Sequence, residues 1–235
     1  MPVVVDIQCE EEMVMGKFSQ IVPAILTGDP KSLETMIRQA ETFTNYVQFD
    51  IMDGRFVPSC SVGCEDIAAL STKLNWEVHL MVQQPEKYLE CFQKAGAKKV
   101  VFHFEAAPLP GDIISQARRL GLSVGLAINP DTPVSAILPL VDKVDSVLFL
   151  AVHPGFYGSQ FVPSVMDKMA QFHSTMPHAK IGVDGGIKEN NIARIAQIGV
   201  DFICVGSAIF LQTDPAASYR RLAALAQKAS PVPDR

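Results

Sequence analysis

Short apolar runs rich in β-branched residues recur eight times along the chain, near residues 21–26, 45–51, 76–82, 99–104, 122–128, 145–152, 179–184 and 201–206. They are apolar almost continuously, as expected for strands covered on both faces in a parallel sheet. Helical patterns fill the intervals. Pro30, Pro85, the run Asp131-Thr132-Pro133 and Asp214-Pro215 mark helix starts, because the first helical position needs no backbone N–H. Gly96, Gly121 and Gly199 mark helix ends just before the next strand. Strand and helix repeated eight times predict an α/β fold, a closed (β/α)8 TIM barrel. An open doubly wound sheet is the competing architecture, but no Gly-x-Gly-x-x-Gly follows the first strand. The reading is a single barrel over residues 21–228, with an extension at 1–20 and a tail at 229–235.

The intervals after the second and sixth strands are longer than the rest. Their extra residues, Gly54–Gly63 and Pro154–Pro163, are rich in glycine, proline and aromatics. Both follow strand C-termini, the face on which barrel enzymes build their sites, and loops of this kind fold over ligands.

Composition narrows the class. The chain is 48% hydrophobic and 19% charged, enough for a sizeable core, and its formal charge is −5 without a basic run. Nucleic acid is therefore not expected as a partner. No apolar run reaches the roughly 18 residues of a membrane span. The first twenty residues lack a basic region followed by an apolar one, so no secretory signal is expected. The five cysteines are Cys9, Cys60, Cys64, Cys91 and Cys204. Their odd number and scattered spacing predict reduced thiols in a cytoplasmic protein. No second Cys or His pair accompanies Cys60 and Cys64 at finger spacing, so a structural zinc site is not expected there.

Candidate chemistry gathers at strand ends. Gln48 and Asp50 lie two apart and share a strand face, while Asp53 lies in the turn before Gly54. A carboxylate at the end of an apolar strand is costly unless paired, metal-bound or put to use. His79 lies on the third strand and Asp184 ends the seventh, so Asp50, His79 and Asp184 converge on the barrel mouth. Gly185-Gly186 follows the seventh strand and Gly206-Ser207 follows the eighth. Loops in those two places bind phosphate through backbone N–H groups, which favours a phosphorylated substrate. His103 and Glu105 end the fourth strand. His103 is expected either to line the floor of the site and orient His79, or to be a buried structural histidine.

With these residues in hand, the chain resembles the ribulose-phosphate 3-epimerase family from about Ile21 to Leu225. The matching motifs are Asp50-Ile-Met-Asp-Gly-Arg-Phe-Val-Pro58, Val78-His-Leu-Met-Val82, Phe102-His-Phe-Glu-Ala106, Pro154-Gly-Phe156, Val183-Asp-Gly-Gly-Ile187 and Gly206-Ser-Ala-Ile209. The resemblance implies inversion of a ketose phosphate at carbon 3, with Asp50 and Asp184 as the two acid/base groups. It implies a divalent metal ion (zinc, manganese, iron or magnesium) held by Asp50, His79, Asp184 and the residue at position 48, and stabilising an enediolate. It also implies that Met52 and Met81 line the pocket, that Gly155 and Gly158 belong with the phosphate- and substrate-binding residues, and that the protein is a homo-oligomer.

Four positions depart from the family pattern. Gln48 stands where the family has a metal-binding histidine, and an amide oxygen is a poor zinc ligand. Ala24 stands where a serine contacts substrate. Phe156-Tyr157-Gly158-Ser159-Gln160 replaces Phe-Gly-Gly-Gln. His153 precedes Pro154, where Asn, Glu or Asp is more usual, and is expected near the metal or substrate. The sequence therefore supports an active epimerase with an altered metal site, or a sugar-phosphate binder that no longer turns over. A metal-independent decarboxylase relative is disfavoured, since Met52 occupies the place of the lysine in Asp-x-Lys-x-x-Asp.

Overall fold

The computed structural model describes residues 18–153 and 160–230. Eight strands close into one parallel barrel in chain order: β1 (Gln20–Ile25), β2 (Tyr46–Met52), β3 (Asn75–Met81), β4 (Lys99–His103), β5 (Ser123–Ile128), β6 (Ser146–Leu150), β7 (Ile181–Asp184) and β8 (Phe202–Val205). The helices are α1 (Pro30–Ala40), α2 (Cys64–Ala68), α3 (Leu89–Ala95), α4 (Pro110–Arg119), α5 (Ser164–Thr175), α6 (Ile192–Ala196), α7 (Ser207–Phe210) and α8 (Pro215–Ala229). The expected (β/α)8 barrel is the fold, with strand boundaries within one or two residues of the sequence reading.

Local chemistry explains the helix ends. The Asp29 carboxylate accepts the Ser32 N–H at 2.9 Å, and Pro30 sets the first turn of α1. Leu33, Ile37 and Ala40 then recur at helical spacing and form its buried face. Asp214 and Pro215 repeat the device on α8, with Ala217 N–H donating to Asp214 at 2.9 Å. The segment after β5 differs from expectation. It forms two 3-10 stretches, Val134–Ala136 and Leu138–Lys143, in place of an α-helix. Pro139 lies inside it, and an interior proline lacks the N–H and clashes with the preceding turn.

The expectation of reduced thiols is corrected in one respect: Cys64 at the start of α2 and Cys91 in α3 form a disulfide. Residues 27 apart in sequence come together because α2 and α3 are neighbours on the barrel's outside. Among the described residues Cys60 and Cys204 remain free thiols. No described helix is long and apolar enough to cross a membrane.

Two cores hold the barrel. The larger lies between strands and helices and includes Phe49, Phe92, Phe149 and Phe172, all fully buried. Each such side chain stabilises the fold by roughly 1.5–3 kcal/mol. The smaller fills the barrel itself with Val22, Ala24, Val101, Ala127, Leu148, Leu150, Phe202 and Cys204. Below it, at the N-terminal end of the strands, Lys99 Nζ pairs with Glu77 Oε2 at 2.9 Å and lies 4.8 Å from the centre of the Phe202 ring. The Tyr46 hydroxyl also donates to Glu77 Oε2, at 3.1 Å. Phe202 occupies the room left by Gly182: a Cβ there would overlap its ring. The floor is thus sealed and the C-terminal mouth is left for chemistry.

Candidate active site and its relatives

Parallel register sets the site. Asp50 on β2 lies opposite His79 on β3, and Ala24 on β1 lies opposite Gln48. Asp184 on β7 lies opposite Cys204 on β8. Closure of the sheet brings β7 round to β2. His79 Nδ1 is 3.0 Å from Asp50 Oδ1 and 3.5 Å from Asp184 Oδ2. All three side chains are buried.

Burial and the neighbouring Asp184 charge push the Asp50 carboxyl up to about 6, against the lowering effect of His79 and Gln48. Burial alone would push His79 down. Its hydrogen bonds with Asp184 and Asp50, together with their charges, outweigh burial and lift it to about 9.

His103 stands behind His79, with the two Nε2 atoms 3.0 Å apart. Its Nδ1 is 3.3 Å from Glu105 Oε2. The other Glu105 oxygen accepts the Asn129 N–H at 2.8 Å and the Thr132 hydroxyl. Burial, reinforced by the His79 charge, pushes His103 down to about 4, although its bond to Glu105 opposes this. A neutral His103 that donates from Nδ1 to Glu105 accepts at Nε2. His79 then donates from Nε2, which turns its Nδ1 lone pair toward the carboxylates when it is neutral. His103 is thus buried, and its side-chain partners are His79 and Glu105.

Gln48 is fully buried. Its Nε2 donates to Asp50 Oδ1 at 2.8 Å and to Asp184 Oδ2 at 2.7 Å. Its Oε1 accepts from the Cys204 thiol at 3.2 Å. Burial, and then the Asp184 charge, pushes that thiol up, so it keeps its proton as the donor. The sequence reading overlooked Cys204. The available signal was strand parity: Cys204 lies two residues from Phe202, shares its face of β8 and so points with it into the barrel.

The loop after β2 shields the mouth. Met52, Met81 and Val57 form one buried cluster, with Phe56 and Leu26 packed against it. The Phe56 ring stands 4.9 Å from that of His103. Asp53 shapes this loop: Oδ1 accepts the N–H groups of Arg55 and Phe56 at 2.9 Å each, and Oδ2 that of Gln83 at 2.8 Å.

Other expected site residues are placed less centrally. Gly185 and Gly186 follow β7 with φ of 102° and 66°, a region that favours glycine. A Cβ on Gly186 would lie 2.9 Å from the Phe161 backbone, so close packing also requires glycine there. Gly206 and Ser207 begin the short α7. The His153 ring lies 3.6 Å from Asp131, with both side chains exposed, outside the buried group. Gly155, Gly158 and the rest of residues 154–159 lie outside the described residues. Ala24 is buried in the interior core.

Asp50, His79 and Asp184 fit a divalent ion: each offers one ligand atom, and these atoms all lie within 4.8 Å of one another. Two carboxylate oxygens and an imidazole nitrogen suit zinc, manganese or iron, and a cation offsets the burial of two like charges.

A closed (β/α)8 barrel with a buried Asp-His-Asp group at its C-terminal mouth defines a barrel enzyme with paired carboxylates and a candidate metal centre. The family model described as ribulose-phosphate 3 epimerase matches residues 20–210. Ribulose-phosphate 3-epimerase from Schizosaccharomyces pombe is 34% identical over 203 residues, covering 84% of this chain and 89% of the relative. That of Serratia marcescens is 36% identical over 208 residues, covering 85% and 99%. The crystal structure of KGPDC from Streptococcus mutans superposes with a TM-score of 0.72 at 11% identity, over 90% of this chain and 98% of that one, a likeness of fold alone. The chain belongs to the ribulose-phosphate 3 epimerase family, whose members are isomerases acting on carbohydrates.

Proposed function

We propose that the protein epimerises a ketose phosphate at carbon 3, interconverting D-ribulose 5-phosphate and D-xylulose 5-phosphate or a close analogue. The observation that carries this reading is the meeting of Asp50, His79 and Asp184 in one buried group in a chain of this family. Inversion needs a proton acceptor on one face of a planar intermediate and a proton donor on the other. Asp50 from β2 and Asp184 from β7 approach His79 from separate strands, which suits that division. The raised Asp50 suits a group that must both take and release a proton near neutrality. His79, aligned through His103 and Glu105, faces both carboxylates. Asp50, His79 and Asp184 would hold a divalent ion, which when bound supplies charge stabilisation to the developing substrate oxyanion. Met52 and Met81 would line the apolar wall. Gly185, Gly186, Gly206 and Ser207 would receive the phosphate, with Gly155 and Gly158 contributing from the sixth loop.

Turnover of ribulose 5-phosphate, with zinc, manganese, iron or magnesium added, tests the proposal, alongside exchange of the carbon-3 proton in deuterated water. Turnover with exchange is expected. A protein that binds sugar phosphate without exchange would be a binding paralogue, the reading that Gln48 favours by turning its amide N–H groups toward the carboxylates. Homo-oligomerisation is proposed from the resemblance and is checked by light scattering. A cytoplasmic setting is proposed as well. It would open the Cys64–Cys91 bond, so alkylation of freshly lysed cells followed by mass spectrometry should find both thiols labelled.

A further inference from the structure

The amide of Gln48 is oriented by its neighbours. On one side stand two carboxylate oxygens, Asp50 Oδ1 and Asp184 Oδ2, at 2.8 and 2.7 Å. Ionised carboxylates only accept hydrogen bonds, so they select the NH2 end. On the other side stands the Cys204 thiol, 3.2 Å from Oε1. Its S–H donates to that oxygen, whereas its sulfur is only a weak acceptor for an amide N–H, so it favours the carbonyl end. Both sides therefore favour the same orientation. Both Gln48 and Cys204 are fully buried, so water does not substitute for either partner.

An amide nitrogen in this sense has no lone pair for a cation. To ligate an ion, Gln48 would have to rotate its carboxamide by half a turn. That would break both charge-assisted bonds. It would also leave the thiol facing an NH2 group. We propose that Gln48 is a positioning residue and not a metal ligand: its NH2 group, aligned by Cys204, ties Asp50 to Asp184, and a divalent ion is held by Asp50, His79 and Asp184 alone. This rests on the reading of those three residues as the metal group. It follows that the paired carboxylates stay organised without an ion. The ion is also held more weakly than with a histidine at position 48.

Titration of the metal-stripped protein with zinc and with manganese, by calorimetry and chelator competition, tests this on wild type, Q48A, Q48H, C204A and H79A. Q48A is expected to bind within about threefold of wild type or more tightly, since it loses no ligand. Q48H should bind zinc about 10- to 100-fold more tightly than wild type, and H79A should lose binding. Q48A binding more than about tenfold weaker while C204A binds as tightly as wild type, both with circular dichroism intact, would overturn the proposal, since a ligating Oε1 needs no alignment by the thiol and a positioning NH2 group does. If no variant binds metal, the three-residue metal reading fails instead. The positioning role is then decided by the Gln48 side-chain NH2 signals in nitrogen-15 spectra, assigned by their loss in Q48A. Slow exchange with solvent that becomes fast in C204A is expected. Fast exchange in wild type would end the idea.

Discussion

At the scale of single residues, the two carboxylates make separable predictions. In a two-base inversion each aspartate removes the proton from one epimer only. D50N and D184N should each lower turnover by about 10²- to 10⁴-fold. Each should keep carbon-3 proton exchange with one epimer and lose it with the other, in opposite senses. Proton magnetic resonance in deuterated water, starting from each pure epimer, checks this. Equal loss from both epimers in both variants, with the ion still bound by calorimetry, would contradict the assignment. His79 carries a stability prediction for the metal-stripped protein. Its proton affinity rises from 6.5 to about 9 on folding, so over that interval the native state binds more protons than the unfolded chain. The stability that His79 contributes is therefore fully present below pH 6.5 and is lost as pH rises toward 9, on the order of 3 kcal/mol. Urea unfolding in chelator across that range should show the decline, and H79N should flatten it.

At the scale of elements, α2 and α3 are short, and the Cys64–Cys91 bond joins them. Closing a loop of 27 residues restricts the unfolded chain by about 3.5 kcal/mol in the loop-entropy view. C64A/C91A should accordingly unfold at a lower urea concentration than the oxidised protein, by roughly that free energy, with catalysis at low denaturant unchanged, because neither cysteine reaches the site. These cysteines also mark where the sequence fell silent. Strands were legible because each is apolar on both faces, and helix starts because Asp29, Pro30, Asp214 and Pro215 act locally. Asp50, His79 and Asp184 were legible as polar interruptions of apolar strands. The pairing of Cys64 with Cys91, the turn of the Gln48 amide and the grip of Cys204 on it all depend on which strands and helices become neighbours. No local pattern carries that information. The segment after β5 departs from the helical start signal at Pro133 because Pro139, six residues on, interrupts an α-helix.

At the scale of the whole molecule, the barrel separates stability from chemistry along its axis. Its N-terminal end is closed by Glu77, Lys99 and Phe202, and G182A would force a methyl group into the Phe202 ring. A loss of about 1–3 kcal/mol is expected, read by thermal unfolding and partly restored by F202L, which gives back the room. The same closure shapes traffic. With the interior packed from Phe202 up to Cys204, the carboxylates sit at the blind end of a one-way shaft. Sugar, ion and solvent-derived proton then share the rim at the C-terminal mouth. Whatever occupies that rim meters all three at once, so an occupant that slows substrate exit should slow isotope wash-in to the same degree.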